Sequence, residues 1–380
     1  MAIFNSLGSN YDLKFALKAL FAQNKKSHKE KLVNFLEKKY QGKAILVYKG
    51  REAIGFVLEI LKLPKDSFIA INGFTCYAVY KAINNEGYDT ELLDLPNPSD
   101  LNFSAETLEQ SLKRNPKIKV VIIQNTLGYP CDIEKIAKIC KEKNLILIED
   151  LAHSVGTVYK NNKEAGTIGD FVVLSFSQDK IIDAISGGAL IIRNKKYQSN
   201  NETMKQFNNV SSNQQLIDRF YPLLTYKIRS IYRFGIGKLF HFTLKSLNLL
   251  SKPMNESFYA KYNLPNWYCS LVLYSFENLN KDLEHRKKIV DIYNSMLEPK
   301  ISYPSTLRYC IFVENRKSLI KFLKNRGVYV SDIWYDSVDD NFKKSKAAAN
   351  SILNLPTHRN VSESDAIKIA QEVNLWLKSQ

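Results

Sequence analysis

The stretch from 118 to 150 constrains the fold more than any other. Val120, Val121, Ile122 and Ile123 form an uninterrupted β-branched run. A helical period follows, with Ile133, Ile136, Ala137 and Cys140 at i, i+3, i+4 and i+7. Leu145, Ile146, Leu147 and Ile148 make a second apolar run. Strand, helix and strand in so short a length require a parallel βαβ crossover. Strands that are apolar at every position require a sheet covered on both faces.

The same pattern extends in both directions. Helices fit residues 51–61, 77–84 and 105–113, the last capped by Ser104. Asp132 is expected to cap the crossover helix. Strands fit 68–71, 90–93, 171–176 and 189–192. Residues 46–200 therefore read as a large, mostly parallel, doubly wound α/β domain. A helical, Lys-rich lead-in precedes it at 1–45. A basic aromatic insert follows at 201–265. One long linking helix, fitted to 267–297, occupies 266–298. A smaller α+β domain fills 299–380, and Ser362 with Asp365 caps its final helix.

Composition narrows the class. The chain has 380 residues, 45% hydrophobic and 24% charged, enough to bury a core without staples. No stretch approaches the roughly 18 uncharged apolar residues of a membrane span. Residues 1–20 lack a signal peptide's unbroken apolar region. The five cysteines (Cys76, Cys131, Cys140, Cys269 and Cys310) form no CxxC and no zinc spacing with histidine. Reduced thiols, no metal and a cytoplasmic location are expected.

Charge is the outlier. Lys plus Arg is 54 and Asp plus Glu is 38, so 54 − 38 = +16, which favours anionic partners. Residues 219–252 hold seven of these cations and no acid, interleaved with aromatics such as Tyr226, Tyr232, Phe240 and Phe242. The segment has three readings. It packs on the chain's own domains with its charges solvated, lies peripherally on an anionic membrane, or holds an anionic acceptor. In the membrane reading, charge reversal at Arg229, Arg233 and Lys238 should weaken binding. No nucleic-acid module accompanies it, so no nucleic-acid partner is expected.

Chemistry is sought at the carboxyl ends of the strands, where open parallel sheets bind ligands. Glu149-Asp150-Leu151-Ala152-His153-Ser154 follows one apolar run. Ser175-Phe176-Ser177-Gln178-Asp179-Lys180 ends and follows another. Lys49-Gly50-Arg51-Glu52 opens the helix at 51–61. Pyridoxal phosphate needs a lysine amine, a carboxylate facing its pyridine nitrogen, and helix N–H groups with hydroxyls or Arg for its phosphate. Lys180, Asp150, Gly50, Arg51 and Ser175 could supply these. Singly, each signal is weak. A strand-end Asp often only caps a helix, His153 alone reads as a buried, hydrogen-bonded histidine, and Cys76 as a small packing residue.

Five ordered pieces carry a resemblance. They are Gly50-Arg51-Glu52-Ala53, Phe74-Thr75-Cys76-Tyr77-Ala78-Val79, the Glu149–Ser154 and Ser175–Lys180 stretches, the latter followed by Gly187-Gly188, and Gly166-Thr167-Ile168-Gly169-Asp170. Together they resemble the DegT/DnrJ/StrS family of PLP-dependent sugar aminotransferases, of fold type I. The resemblance implies that Lys180 bonds the cofactor and moves protons. It puts Asp150 at the pyridine nitrogen and His153 near the phenolic oxygen. Ser175, Gly50 and Arg51 would bind phosphate. Cys76 falls where the family sets an aromatic ring over the cofactor, with Tyr77 adjacent. Lys261, Asn263 and Asn266 compete for the residue that reaches a neighbouring subunit's phosphate. Dehydrating relatives replace the lysine by histidine, so Lys180 favours transamination.

The reading is a homodimeric aminotransferase that moves an amino group from an amino acid, glutamate by analogy, to a nucleotide-linked keto sugar by a ping-pong mechanism. Two rivals stand beside it. A nicotinamide enzyme lacks support, because no GxGxxG follows the first strand. A non-catalytic PLP-fold binding or regulatory protein, associated with membrane, is the other.

Overall fold

The computed structural model describes residues 2–199, 207–252, 261–298, 307–330, 338–339 and 341–380. Its strands are β1 (Ile3–Phe4), β2 (Lys43–Val47), β3 (Phe68–Asn72), β4 (Asp89–Leu93), β5 (Ile118–Ile123), β6 (Ile146–Asp150), β7 (Phe171–Ser175), β8 (Gly188–Ile192), β9 (Asn208–Asn209), β10 (Tyr262–Asn263), β11 (Arg308–Phe312), β12 (Val328–Tyr329) and β13 (Ile352–Pro356). Its helices are α1 (Leu13–Leu20), α2 (Lys26–Tyr40), α3 (Gly50–Leu61), α4 (Tyr77–Asn85), α5 (Ala105–Arg114), α6 (Ile133–Glu142), α7 (Ser212–Ile231), α8 (Ile236–Ser246), α9 (Asn266–Glu277), α10 (Leu279–Met296), α11 (Arg316–Asn325), α12 (Lys343–Ser351) and α13 (Glu363–Leu377).

Among the described residues, nine strands form the central sheet, in the order β4-β3-β5-β6-β7-β8-β2-β10-β9. From β4 to β7 all neighbours are parallel. β8 runs antiparallel to both β7 and β2. Two reversals return β2 to the direction of β7, so β2 ends on the same rim as the parallel strands. Side chains alternate between two apolar layers, as a period of two demands. Val172 and Leu174 join Phe15, Leu32, Leu36, Leu108, Ile136 and Leu271 on one face. Phe171 and Val173 join Ile54, Val57, Val79 and Ile83 of α3 and α4 on the other. The α/β class of fold type I enzymes is therefore what the structure shows.

A separate core gathers Val290, Tyr309, Ile311, Leu319, Leu355, Ile369 and Val373. Ile3 belongs to it, because β1 pairs in parallel with β12. The stretch at 1–45 is thus not wholly helical: it begins with a strand, and β2 starts at Lys43. The expected single helix over 267–297 is two helices, interrupted at Asn278 (φ −99°, ψ 3°). Asp132 makes no side-chain cap bond and instead pairs with Lys135 at 3.2 Å. Ser104 does cap α5, and Ser362 with Asp365 forms a complete capping box.

Glu149 fastens the turn that returns the chain to β7. It is fully buried and accepts from Gly166 N (2.7 Å), Tyr159 Oη (3.0 Å), Ile168 N (2.8 Å) and Gly169 N (2.6 Å). Glu149→Gln keeps the shape but turns one acceptor into a donor facing donors. It should cost about 2 kcal/mol in urea unfolding, and an unchanged midpoint would refute this bonding.

Candidate active site

One cavity of about 230 Å³ opens on the rim where β2, β3, β5, β6 and β7 end. Lys180, Asp150, His153, Ser175, Gly50, Arg51, Cys76 and Tyr77 all line it. Asp150 is the last residue of β6, and Ser175 the last of β7. His153 lies just beyond β6, and Cys76 is the residue before α4. Gly50 opens α3, whose cap residue Lys49 makes no side-chain cap bond, and Lys49, Gly50 and Arg51 place the start of the helix at the cavity. A Cβ on Gly50 would sit 2.8 Å from Ser175 Cβ, and one on Gly188 would sit 2.8 Å from Gly50 N. Only glycines let this helix end approach β7 and β8 so closely.

Electrostatics follow from burial. The Lys180 amine is held below its usual value, because burial disfavours the cation against the upward pull of Cys76, Asp150 and Asp179. Burial pushes the Asp150 carboxyl up, opposed by the Ala152 N–H (3.0 Å), Lys180 and Gln124 Nε2 (3.2 Å). His153 Nδ1 accepts from Leu127 N at 3.2 Å, and burial drives the ring well below its usual pKa. A neutral ring with Nδ1 accepting carries its proton on Nε2, which makes that nitrogen a donor.

The Lys180 loop is braced from beneath. Asp179 takes a left-handed conformation (φ 63°). Its N–H donates to Asp183 Oδ2 at 2.9 Å. Asp183 also accepts from Asn10 Nδ2 (2.9 Å), Tyr11 Oη (2.5 Å) and Ile185 N (3.1 Å). Asn10 Nδ2 reaches the Lys180 carbonyl as well, at 3.1 Å. Residues from the start of the chain therefore fix the lysine-bearing turn.

Several lining residues carry no role in the sequence reading. Gln124 follows β5 directly and joins two others, donating to Asp150 and bonding the Thr75 hydroxyl. Its place after an apolar strand was the signal. Lys49 is 1% exposed, and burial lowers its amine to about 8. Gln178 donates to Ser251 Oγ at 3.0 Å, so the end of the 219–252 segment touches the rim. Of the candidates for a neighbour's site, Lys261 pairs with Glu59 and Glu86, Asn263 donates to Phe207 O at 3.1 Å, and Asn266 opens α9.

Known proteins resemble this chain in sequence and in fold. The profile of the DegT/DnrJ/EryC1/StrS aminotransferase family matches residues 20–374. GDP-perosamine synthase of Escherichia coli O157:H7 is 29% identical over 180 residues, 47% of this chain and 48% of that one. The UDP-4-amino-4,6-dideoxy-N-acetyl-beta-L-altrosamine transaminase of Campylobacter jejuni serotype O:2 is 26% identical over 260 residues, 68% of this chain and 58% of that one. The chain thus spans about half the length of these curated relatives. Helicobacter pylori PseC, an aminotransferase of pseudoaminic acid biosynthesis, superposes with a TM-score of 0.74 at 16% identity, over 97% of each chain. The match to the family profile runs through every strand that builds the cavity, and on it the chain belongs to the DegT/DnrJ/EryC1/StrS aminotransferase family.

Proposed function

We propose that this chain is a PLP-dependent aminotransferase that moves an amino group from glutamate to a nucleotide-linked keto sugar, in two half-reactions at one site. The observation that carries the reading is the meeting of Lys180, Asp150 and the α3 N-terminus around one cavity. The names of the relatives, a perosamine synthase and an altrosamine transaminase, support a sugar nucleotide as acceptor.

The residues present suit pyridoxal phosphate. Gly50 lets the start of α3 pack directly against Ser175 at the end of β7, and both residues line the cavity, so a helix N-terminus and a hydroxyl meet where a phosphate would sit. Arg51 adds a guanidinium and Lys49 a buried amine at the same end. When bound, the cofactor supplies an electron sink for the carbon that exchanges the amine. Lys180 holds and moves the proton at that carbon, and its lowered pKa makes the free amine available. Asp150 would hold the ring nitrogen protonated by ion pairing, His153 Nε2 would offer a hydrogen to the phenolic oxygen, and Cys76 and Tyr77 would border the ring. As the family resemblance implies, the active form is a homodimer with its sites at the subunit interface.

Turnover with glutamate and a panel of nucleotide-linked keto sugars tests this. Product should appear with at least one acceptor, and initial rates at several acceptor levels should give parallel double-reciprocal lines. Bound cofactor without turnover on any acceptor would favour the binding-protein rival.

A further inference from the structure

The helix α8 carries apolar side chains on the wrong side. Only Gly237 and Leu244 of its eleven residues are buried. Ile236 is 63% exposed, Leu239 68% and Phe242 70%. At about 100° per residue these three fall within about 120° of arc, on the side away from Gly237 and Leu244. Leu247 and Leu249 continue the exposed apolar surface beyond the helix end. A helix that faces solvent normally presents its polar side there. Here the polar flank is cationic instead. Lys238 and Lys245 lie one above the other at i and i+7 along one edge, both exposed, with Arg233 before the helix and Lys252 after it.

We infer that α8 and the turn after it form a docking surface for an anionic lipid bilayer. Apolar side chains flanked by cations, without an acid from 219 to 252, complement a surface with anionic headgroups over a hydrocarbon interior. A second copy of the chain fits less well, because a two-fold contact would set this cationic surface against itself. About 16 Å of helix lies flat, with Ile236, Leu239 and Phe242 entering the acyl boundary and the lysines reaching headgroup phosphates. No helix among the described residues is long and apolar enough to cross a membrane, so the contact is peripheral. Arg229 has no part in it, contrary to expectation: it is buried and donates to Tyr11 O at 2.5 Å. Arg219 is also turned inward, onto the carbonyls that end α1 and the Trp267 ring. This inference does not depend on the proposed reaction.

Vesicle flotation of the full chain tests it, with phosphatidylcholine vesicles and with phosphatidylcholine/phosphatidylglycerol vesicles. Binding should appear only with the anionic vesicles and fade as salt rises from about 0.05 to about 0.5 M. Leu239→Glu with Phe242→Glu should lower the partition coefficient at least about tenfold, as should Lys238→Glu with Lys245→Glu. Both pairs are exposed, so thermal unfolding should be unchanged. Wild-type protein that ignores anionic vesicles, or binding that survives both double substitutions, overturns the inference. So does a sedimentation shift from dimer to monomer on Leu239→Glu/Phe242→Glu, which would make this face a subunit contact.

Discussion

Replacing Lys180 with alanine is expected to lower kcat/KM by on the order of 10⁴-fold and leave the chain folded. The amine stands alone in its role. Its neighbours Asp179 and Ile181 offer no nitrogen, and Lys49 enters the cavity at the α3 end rather than from the β7 loop. Removing a buried amine also relieves a desolvation cost, so thermal stability should hold or rise. The variant should still bind pyridoxal phosphate through Gly50, Arg51 and Ser175. Borohydride, however, should no longer fix the cofactor to the polypeptide, which mass spectrometry reads directly. Fixation that persists in Lys180→Ala would place the reactive lysine elsewhere, with Lys49 the first to examine.

Asp150→Asn should lower kcat by about 10²–10³-fold with cofactor affinity changed far less. The carboxylate is 2% exposed, and among the described residues two hydrogen bonds, from Ala152 N and Gln124 Nε2, support its charge. Asn preserves the shape but cannot hold a ring nitrogen protonated by ion pairing. A purely structural role would show as a fall in unfolding temperature with normal turnover by the folded fraction. A loss of kcat at unchanged stability, partly restored by Asp150→Glu, is the outcome that assigns Asp150 to the ring. Wild-type kcat in the Asn variant would remove it from that position.

Where the candidate site lies was legible because an open parallel sheet places ligands by rule. Asp150, Ser175 and the residues after them could be located from where apolar runs stop. Gln124 obeys the same rule, and only the absence of a charge hid it. Lys49 was hidden because a lysine next to a helix start normally reads as solvated, and only packing reveals one buried beside Tyr48. The direction of β8 was not legible: a strand buried on both faces looks the same whichever way it runs. β2 merged with the Lys-rich stretch before it because Lys43 opens the strand half-buried. The interruption at Asn278 involves no proline or glycine, so helical periodicity passes through it unmarked. Residues 219–252 read as basic and aromatic from composition, but which side of α8 its leucines and phenylalanines take depends on how Gly237 and Leu244 pack.

The brace beneath Lys180 also has a consequence for the order in which a nascent chain can become competent. Asn10 and Tyr11 leave the ribosome long before the lysine loop they support, but the strand β1 that precedes them has its partner beyond residue 327. Ile3 and Phe4 pair with Val328 and Tyr329, the Phe4 carbonyl meets His358 Nε2 at 2.7 Å, and Asn360 Nδ2 holds the Ser9 carbonyl at 2.7 Å. The central sheet can assemble early from neighbouring segments. The turn bearing Lys180 is braced in two stages: Arg229 and Tyr221 of α7 hold Tyr11, and the segments from Val328 to Asn360 then fix the residues before it. A ribosome-stalled chain ending near residue 298 should therefore hold a formed sheet and a Lys180 turn braced through α7 alone, with the outer half of the brace set only when residues 328–360 emerge.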